Sequence, residues 1–168
     1  MTVFDELMEM NNAYVEEFAS QGLSHLPARA LSVLTCMDAR LHPEAALGIR
    51  LGDAHVIRNA GGRASDDAIR SIVVSQRMLG TREILLLHHT DCGMSSFTNV
   101  ELAAKIETDL GVDVGEYDFL PFTDPAEGLR QDVETLVFSP LVAGGTLIIG
   151  AMYDVTTGTV SEVLRRTA

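Results

Sequence analysis

Short apolar runs alternate along the chain with stretches of helical periodicity, and that alternation predicts the architecture. Leu31 to Cys36 (LSVLTC), Ala54 to Arg58 and Glu83 to His88 read as buried parallel strands, and Thr146 to Tyr153 (TLIIGAMY) as a fourth. Between the second and third, Ser65 can cap a helix with Asp66 and Asp67 in its first turn. Its buried face would hold Ile69, Ile72, Val73 and Leu79, and Gly80 would stop it. Thr98 and Glu101 have capping-box spacing ahead of Leu102, Ile106 and Leu110, with Gly111 as terminator. Asp124 caps a further helix, Pro125 suits its first position, and Leu129, Val133, Leu136 and Val137 form a stripe ending before Pro140. Past Gly158, Val160 to Leu164 alternates with period two and fits an antiparallel edge strand. Near the start, Phe4, Leu7, Met8, Val15 and Phe18 share one side of a helical wheel. The pattern therefore predicts a single-domain α/β fold: a mostly parallel four-stranded sheet flanked by helices, with a C-terminal edge strand and an N-terminal helical arm. The arm takes residues 1–28 and the α/β domain residues 29–168. In doubly wound sheets, sites form beyond the carboxyl ends of the strands.

A length of 168 residues suits one domain with a real core. The 24 acidic residues outnumber the 12 basic ones, and a formal charge of -12 disfavours nucleic acid and anionic membranes as partners. The longest apolar stretch, Leu141 to Tyr153, contains two consecutive glycines and is too short to span a bilayer. The first residues lack the basic-then-apolar layout of a secretory signal, so the expected location is cytoplasmic. In that reducing compartment the two cysteines point to a metal or to catalysis rather than to a disulfide.

Cys36 ends the first predicted strand, while His89 and Cys92, spaced H-x-x-C, follow the third. Neighbouring strands lie about 5 Å apart, so the three side chains can converge on one ion. Two thiolates and an imidazole suit zinc, and three protein ligands leave the fourth tetrahedral position open for catalysis. H-x-x-C alone fits equally a structural zinc knuckle with a distant fourth ligand, or two unconnected buried thiols. The segment Cys36-Met37-Asp38-Ala39-Arg40 adds a carboxylate that can lean over the metal and a guanidinium able to hold it by two hydrogen bonds. A plain surface pair in a turn is the alternative. Adjacent residues at a strand end point to opposite faces, and spacing to Cys92 gives the ligand role to His89, leaving His88 packed or hydrogen-bonded. His25, His42 and His55 read as surface residues, with His42, two positions past Arg40, as the candidate proton relay. The Gly61 and Gly62 pair can be a simple tight turn, and the Gly93 amide, directly after a ligand, is placed to bond an anion.

In order and spacing, CMDAR (Cys36 to Arg40), RNAGG (Arg58 to Gly62) and HHTDCG (His88 to Gly93) resemble the signature of beta-class carbonic anhydrases, particularly the small prokaryotic members, over roughly Leu31 to Tyr153. The resemblance implies one Zn2+ per chain on Cys36, His89 and Cys92, a working pair of Asp38 and Arg40, and a narrow substrate pocket walled by Ala60 and Gly61. It implies reversible hydration of carbon dioxide to bicarbonate and a proton. Zinc brings its water to a pKa of about 7 in the three-histidine class of carbonic anhydrase, two thiolates should acidify it less, and Asp38 would orient the resulting hydroxide. It also implies an obligate homodimer, commonly assembled further into a dimer of dimers, with the N-terminal helix lying across the partner; otherwise the arm would cover its own sheet. Some relatives swing the aspartate onto the metal as a fourth ligand, and some bind regulatory bicarbonate through a Trp, Arg and Tyr site that a chain without Trp lacks. Two rivals stand beside this reading. One is hydrolysis of carbonyl sulfide or carbon disulfide on the same scaffold. The other is a non-catalytic zinc or redox sensor in which Cys36 and Cys92 pair reversibly, for which Asp38 and Arg40 have no use.

Overall fold

The described residues, 2–18 and 22–168 of the computed structural model, contain one sheet of five strands: β1 (Leu31–Cys36), β2 (Ala54–Asn59), β3 (Glu83–His89), β4 (Leu147–Tyr153) and β5 (Val160–Thr167). Their order is β2-β1-β3-β4-β5. β1 pairs in parallel with both β2 and β3, β3 pairs in parallel with β4, and β5 runs antiparallel to β4 at the edge. The chain leaves β1 towards β2 on one side and returns to β3 on the other. The carboxyl ends of β1 and β3 thus flank the switch point where open α/β sheets leave a crevice. β5 runs three residues further than its alternation predicts, because Ala168 N–H bonds Thr146 O at 3.0 Å and closes the ladder.

Five helices accompany the strands: α1 (Val3–Glu17), α2 (Pro43–Leu47), α3 (Asp66–Leu79), α4 (Asn99–Leu110) and α5 (Pro125–Phe138). The predicted caps are in place. Ser65 Oγ accepts from Ala68 N–H, Thr98 and Glu101 form a full capping box, and Asp124 accepts from the amides of Ala126 and Glu127. The short α2 and two 3-10 turns, Ala60–Gly62 and Gly93–Ser95, carry too few residues to show a period.

α3 lies rotated relative to its predicted face: Ala68, Ile72, Ser75 and Gln76 are buried, while Ile69, Val73 and Leu79 are only half-buried. The polar pair is buried because it is bonded. Ser75 Oγ lies 2.6 Å from Ser32 Oγ and 2.8 Å from Thr81 Oγ1, and Gln76 Nε2 donates to Thr146 Oγ1 at 2.9 Å. An apolar count cannot see such positions. Likewise Leu102 and Ile106 of α4 are half-buried and Leu110 is exposed.

α3 and α5 cover one face of the sheet, enclosing Leu34, Ile72, Ile84, Leu86, Leu129, Val133, Leu136 and Ile148 at 0% exposure. Each such side chain contributes about 1.5–3 kcal/mol relative to an exposed one, so this layer holds the strand ends in register. The opposite face is thinner: Val33, Leu87 and Ala151 are buried, but Leu31, Val56 and Leu85 are only half-buried. No residue of α1 is buried, and Phe4, Leu7, Met8, Val15 and Phe18 are all exposed, so the arm does not cover its own sheet. Residues 19–21 of the predicted arm lie outside the described residues. Among those described, no helix is long and apolar enough to cross a membrane.

Candidate metal centre

At the switch point, the last residue of β1 and the last residue of β3 bring Cys36 and His89 together, and the turn after β3 returns Cys92 to them. One ligand atom from each lies within 4.8 Å of the others, and all three residues are buried. The sulfurs stand 3.9 Å apart. Two zinc–sulfur bonds of about 2.3 Å at a tetrahedral angle require about 3.8 Å, so an ion fits between them without moving the strands.

The imidazole is oriented for the same task. His89 Nδ1–H donates to Thr90 O at 2.8 Å, which fixes the tautomer and leaves Nε2 with a free lone pair. Nε2 is buried and has no hydrogen-bond partner. A buried acceptor without a partner costs free energy, and an ion between the two sulfurs satisfies it.

Without metal, the two thiols hold one proton between them. The hydrogen bond from Cys92 pulls the Cys36 thiol down to about 4 against the effect of burial, with further help from His89 and from the amides of Asp38 and Gly61. The same Cys36 contact, together with burial, pushes Cys92 well above the ordinary thiol range. Burial alone would lower the pKa of His89, but the Cys36 sulfur beside it, with Thr90 O and the Asp38 carboxylate, outweighs burial and raises that pKa.

Asp38 stands beside this group, with Oδ2 3.8 Å from His89 Nε2. Arg40 holds it at both ends: Nε donates to Oδ1 at 3.0 Å and Nη2 to Oδ2 at 2.8 Å, while the Arg40 amide also reaches Oδ1 at 2.9 Å. Those bonds depress the Asp38 pKa well below the usual carboxylate range and keep it ionised. Arg40 in turn is fixed by Asp91, through Nη1 to Oδ2 at 2.7 Å and Nη2 to the carbonyl at 2.8 Å. Sequence reasoning gave Asp91 no role. The signal it carries is an Asp directly after a strand end, where φ is +53° and aspartate tolerates the left-handed region. Arg58 was also passed over, although it belongs to the RNAGG segment; its Nε and Nη2 donate to the carbonyls of Cys36 and Asp38 at 3.0 and 2.8 Å and shape the turn between them.

The remaining predicted residues divide. Gly61 packs against Met94, whose Cγ would lie 2.9 Å from any added Cβ, and Ala60 borders the apolar cluster of Cys36, Leu41, Cys92, Met94 and Phe122. Gly93 is exposed and opens the second 3-10 turn directly after Cys92. His88 points away from the ligands, with Nε2 3.2 Å from Gly62 O. His42 is exposed at the start of α2 and makes no side-chain bond to the Asp38–Arg40 pair. His55 is not a free surface residue: it is half-buried, with Nδ1 2.7 Å from Ser75 Oγ.

A family model for carbonic anhydrase matches residues 31–110. The chain is 42% identical over 163 residues to "Beta-carbonic anhydrase 1" of Mycobacterium tuberculosis, covering 97% of this chain and 99% of that one. It is 37% identical over 167 residues to a "Carbon disulfide hydrolase" of Acidianus sp., covering 85% of this chain and 82% of the relative. The crystal structure of a carbonic anhydrase from Streptococcus mutans superposes with a TM-score of 0.95 at 51% identity, covering 98% of this chain and 99% of the other.

Proposed function

The chain belongs to the beta-carbonic anhydrase family, and from that premise we propose that it catalyses the zinc-dependent, reversible hydration of carbon dioxide to bicarbonate and a proton. The observation that carries this reading is the convergence of Cys36, His89 and Cys92 with an ionised, doubly held carboxylate beside them. A zinc ion on these three residues supplies the Lewis acidity that makes water nucleophilic near neutral pH.

The side chains of the protein do the rest. Asp38, unable to take a proton near neutrality because Arg40 stabilises its charge, accepts a hydrogen bond from the attacking water and aims its lone pair. Arg40, locked by Asp91, prevents the carboxylate from turning towards the ligands. Ala60, Gly61 and Met94 wall an apolar slot suited to a small nonpolar substrate, and the Gly93 amide is available to the anionic product. Asp38 is partly exposed and Arg40 about half exposed, so the released proton has a short way to solvent.

The arm of residues 1–28 packs on a second copy of the chain, with residues 29–168 as the zinc-binding domain. Support comes from an apolar stripe on α1 that nothing in its own chain covers, and from the thin second face of the sheet that needs a cover. Two thiolate ligands need a reducing environment, which favours the cytoplasm.

A second reading, hydrolysis of carbon disulfide or carbonyl sulfide, is favoured by the Acidianus relative, because the ligand set suits either substrate. Assaying carbon dioxide hydration beside sulfide release on one zinc-loaded preparation separates the two. Hydration in excess of sulfide release supports the first reading, and activity on the sulfur substrates alone overturns it.

A further inference from the structure

Behind the metal centre, on the α5 side of the sheet, lies a buried polar cluster that touches no ligand atom: Arg63, His88 and Asp132, none more than 7% exposed. Asp132 Oδ1 accepts from Ala64 N–H at 2.9 Å and from Arg63 Nε at 3.2 Å. Its Oδ2 lies 2.9 Å from Arg63 Nε and 3.2 Å from His88 Nε2. Gly62 O lies 3.2 Å from Nε2 and Pro125 O 3.3 Å from Nδ1, so carbonyl acceptors stand at both ring nitrogens. Phe122 closes the cluster, stacked on His88 and lying beneath the Arg63 guanidinium at 5.4 Å. Arg63 and Ala64 are therefore tied to α5, and Gly62 to His88 of β3.

The other side of that loop rests on the metal centre. Gly62, at φ +68°, leaves so little room that an added Cβ would lie 3.0 Å from Cys36 N and 3.0 Å from Thr35 C. Two left-handed glycines in succession give a loop with much backbone entropy to lose, so its placement has to come from an anchor on a rigid element. We infer that Asp132 is a positioning residue for the metal centre: by holding Ala64 N–H and Arg63 from α5, it fixes the Gly61–Gly62 turn against Cys36.

This inference rests on the zinc reading for the role of Cys36, and its test can fail separately from that reading. The buried charge is removed in both arms by Arg63→Met, and cobalt(II) replaces zinc as a visible probe. Arg63→Met/Asp132→Asn keeps an oxygen for Ala64 N–H; it should hold the thiolate-to-cobalt absorption at its wild-type position and kcat within about twofold. Arg63→Met/Asp132→Ala loses the anchor. Its absorption should move away from the wild-type position, because the turn no longer fixes Cys36, and kcat should fall about tenfold with KM little changed. Hydrogen exchange on the unmutated holoprotein adds an arm that needs no variant, with the Ala64 amide exchanging far more slowly than that of Gly115, which bonds only the exposed Asp113 side chain. Identical spectra and kcat in the two double variants, or an Ala64 amide as labile as that of Gly115, would overturn the inference. A wild-type protein inactive on carbon dioxide would count against the hydratase reading alone, with spectra and exchange still deciding the role of Asp132.

Discussion

Replacing Gly62 by alanine tests how closely the turn after β2 sits on the metal-bearing strand. At φ +68° a residue with a Cβ costs about 1–2 kcal/mol, of which about 0.4–1 kcal/mol is returned through the less flexible unfolded chain. The new methyl would lie 3.0 Å from main-chain atoms of Thr35 and Cys36, which belong to a strand buried between neighbours and cannot give way. Overpacking against rigid atoms adds about 1–3 kcal/mol. The net destabilisation is about 2–4 kcal/mol, and at about 2–4 °C per kcal/mol for a chain of this size the midpoint should fall by about 4–16 °C. Gly144 is the control, because an added Cβ there meets nothing within 4 Å and φ is not positive. Thermal unfolding of the zinc-loaded wild type, Gly62→Ala and Gly144→Ala by circular dichroism reads the difference. A Gly62→Ala midpoint within 2 °C of the Gly144→Ala value, on the order of instrumental scatter against the shift expected, would refute the close packing of this turn on Cys36.

Arg40→Ala should lower carbon dioxide hydration by about 10–100-fold while zinc content by elemental analysis stays at the wild-type level, since Arg40 steers Asp38 and binds no metal. Arg40→Lys should recover only part of the loss, a lysine having no fork to match both carboxylate oxygens. At pH 6, on the acid side of the range where zinc-bound water ionises, zinc uptake by the metal-free protein should release at least about one proton per ion, the one the two sulfurs share. Cys36 is already ionised there and Cys92 carries the proton, while His89, with its pKa raised, adds to the release. Titration calorimetry in buffers of different ionisation enthalpy counts these protons, and uptake with no net release at pH 6 would contradict the shared-proton site. Phe4→Ser/Leu7→Ser should convert the proposed dimer to monomer in sedimentation velocity without unfolding the chain, because neither side chain is buried in its own chain.

The sheet and the metal group were legible in the sequence because each rests on a short-range signal. A strand shows as an apolar run, a cap as a spaced pair, and the ligands as thiol and imidazole positions at the ends of such runs. Glu83–His89 illustrates this, since one seven-residue segment carries both the strand and a ligand. What escaped depends on partners distant in sequence. The buried face of α3 includes Ser75 and Gln76 only because Ser32, Thr81 and Thr146 meet them. Asp132 sits 69 residues from Arg63, inside a helix whose stripe gave no reason to expect a buried carboxylate. Asp91 acquires its role from a left-handed backbone that brings it to Arg40, 51 residues earlier.

The most direct measurement is stopped-flow hydration of carbon dioxide by the metal-free protein as zinc is added stepwise. The account predicts a rate that climbs in proportion to zinc and breaks sharply at one ion per chain, with Cys92→Ser showing no such break. A fully loaded protein that leaves the spontaneous rate unchanged would contradict it.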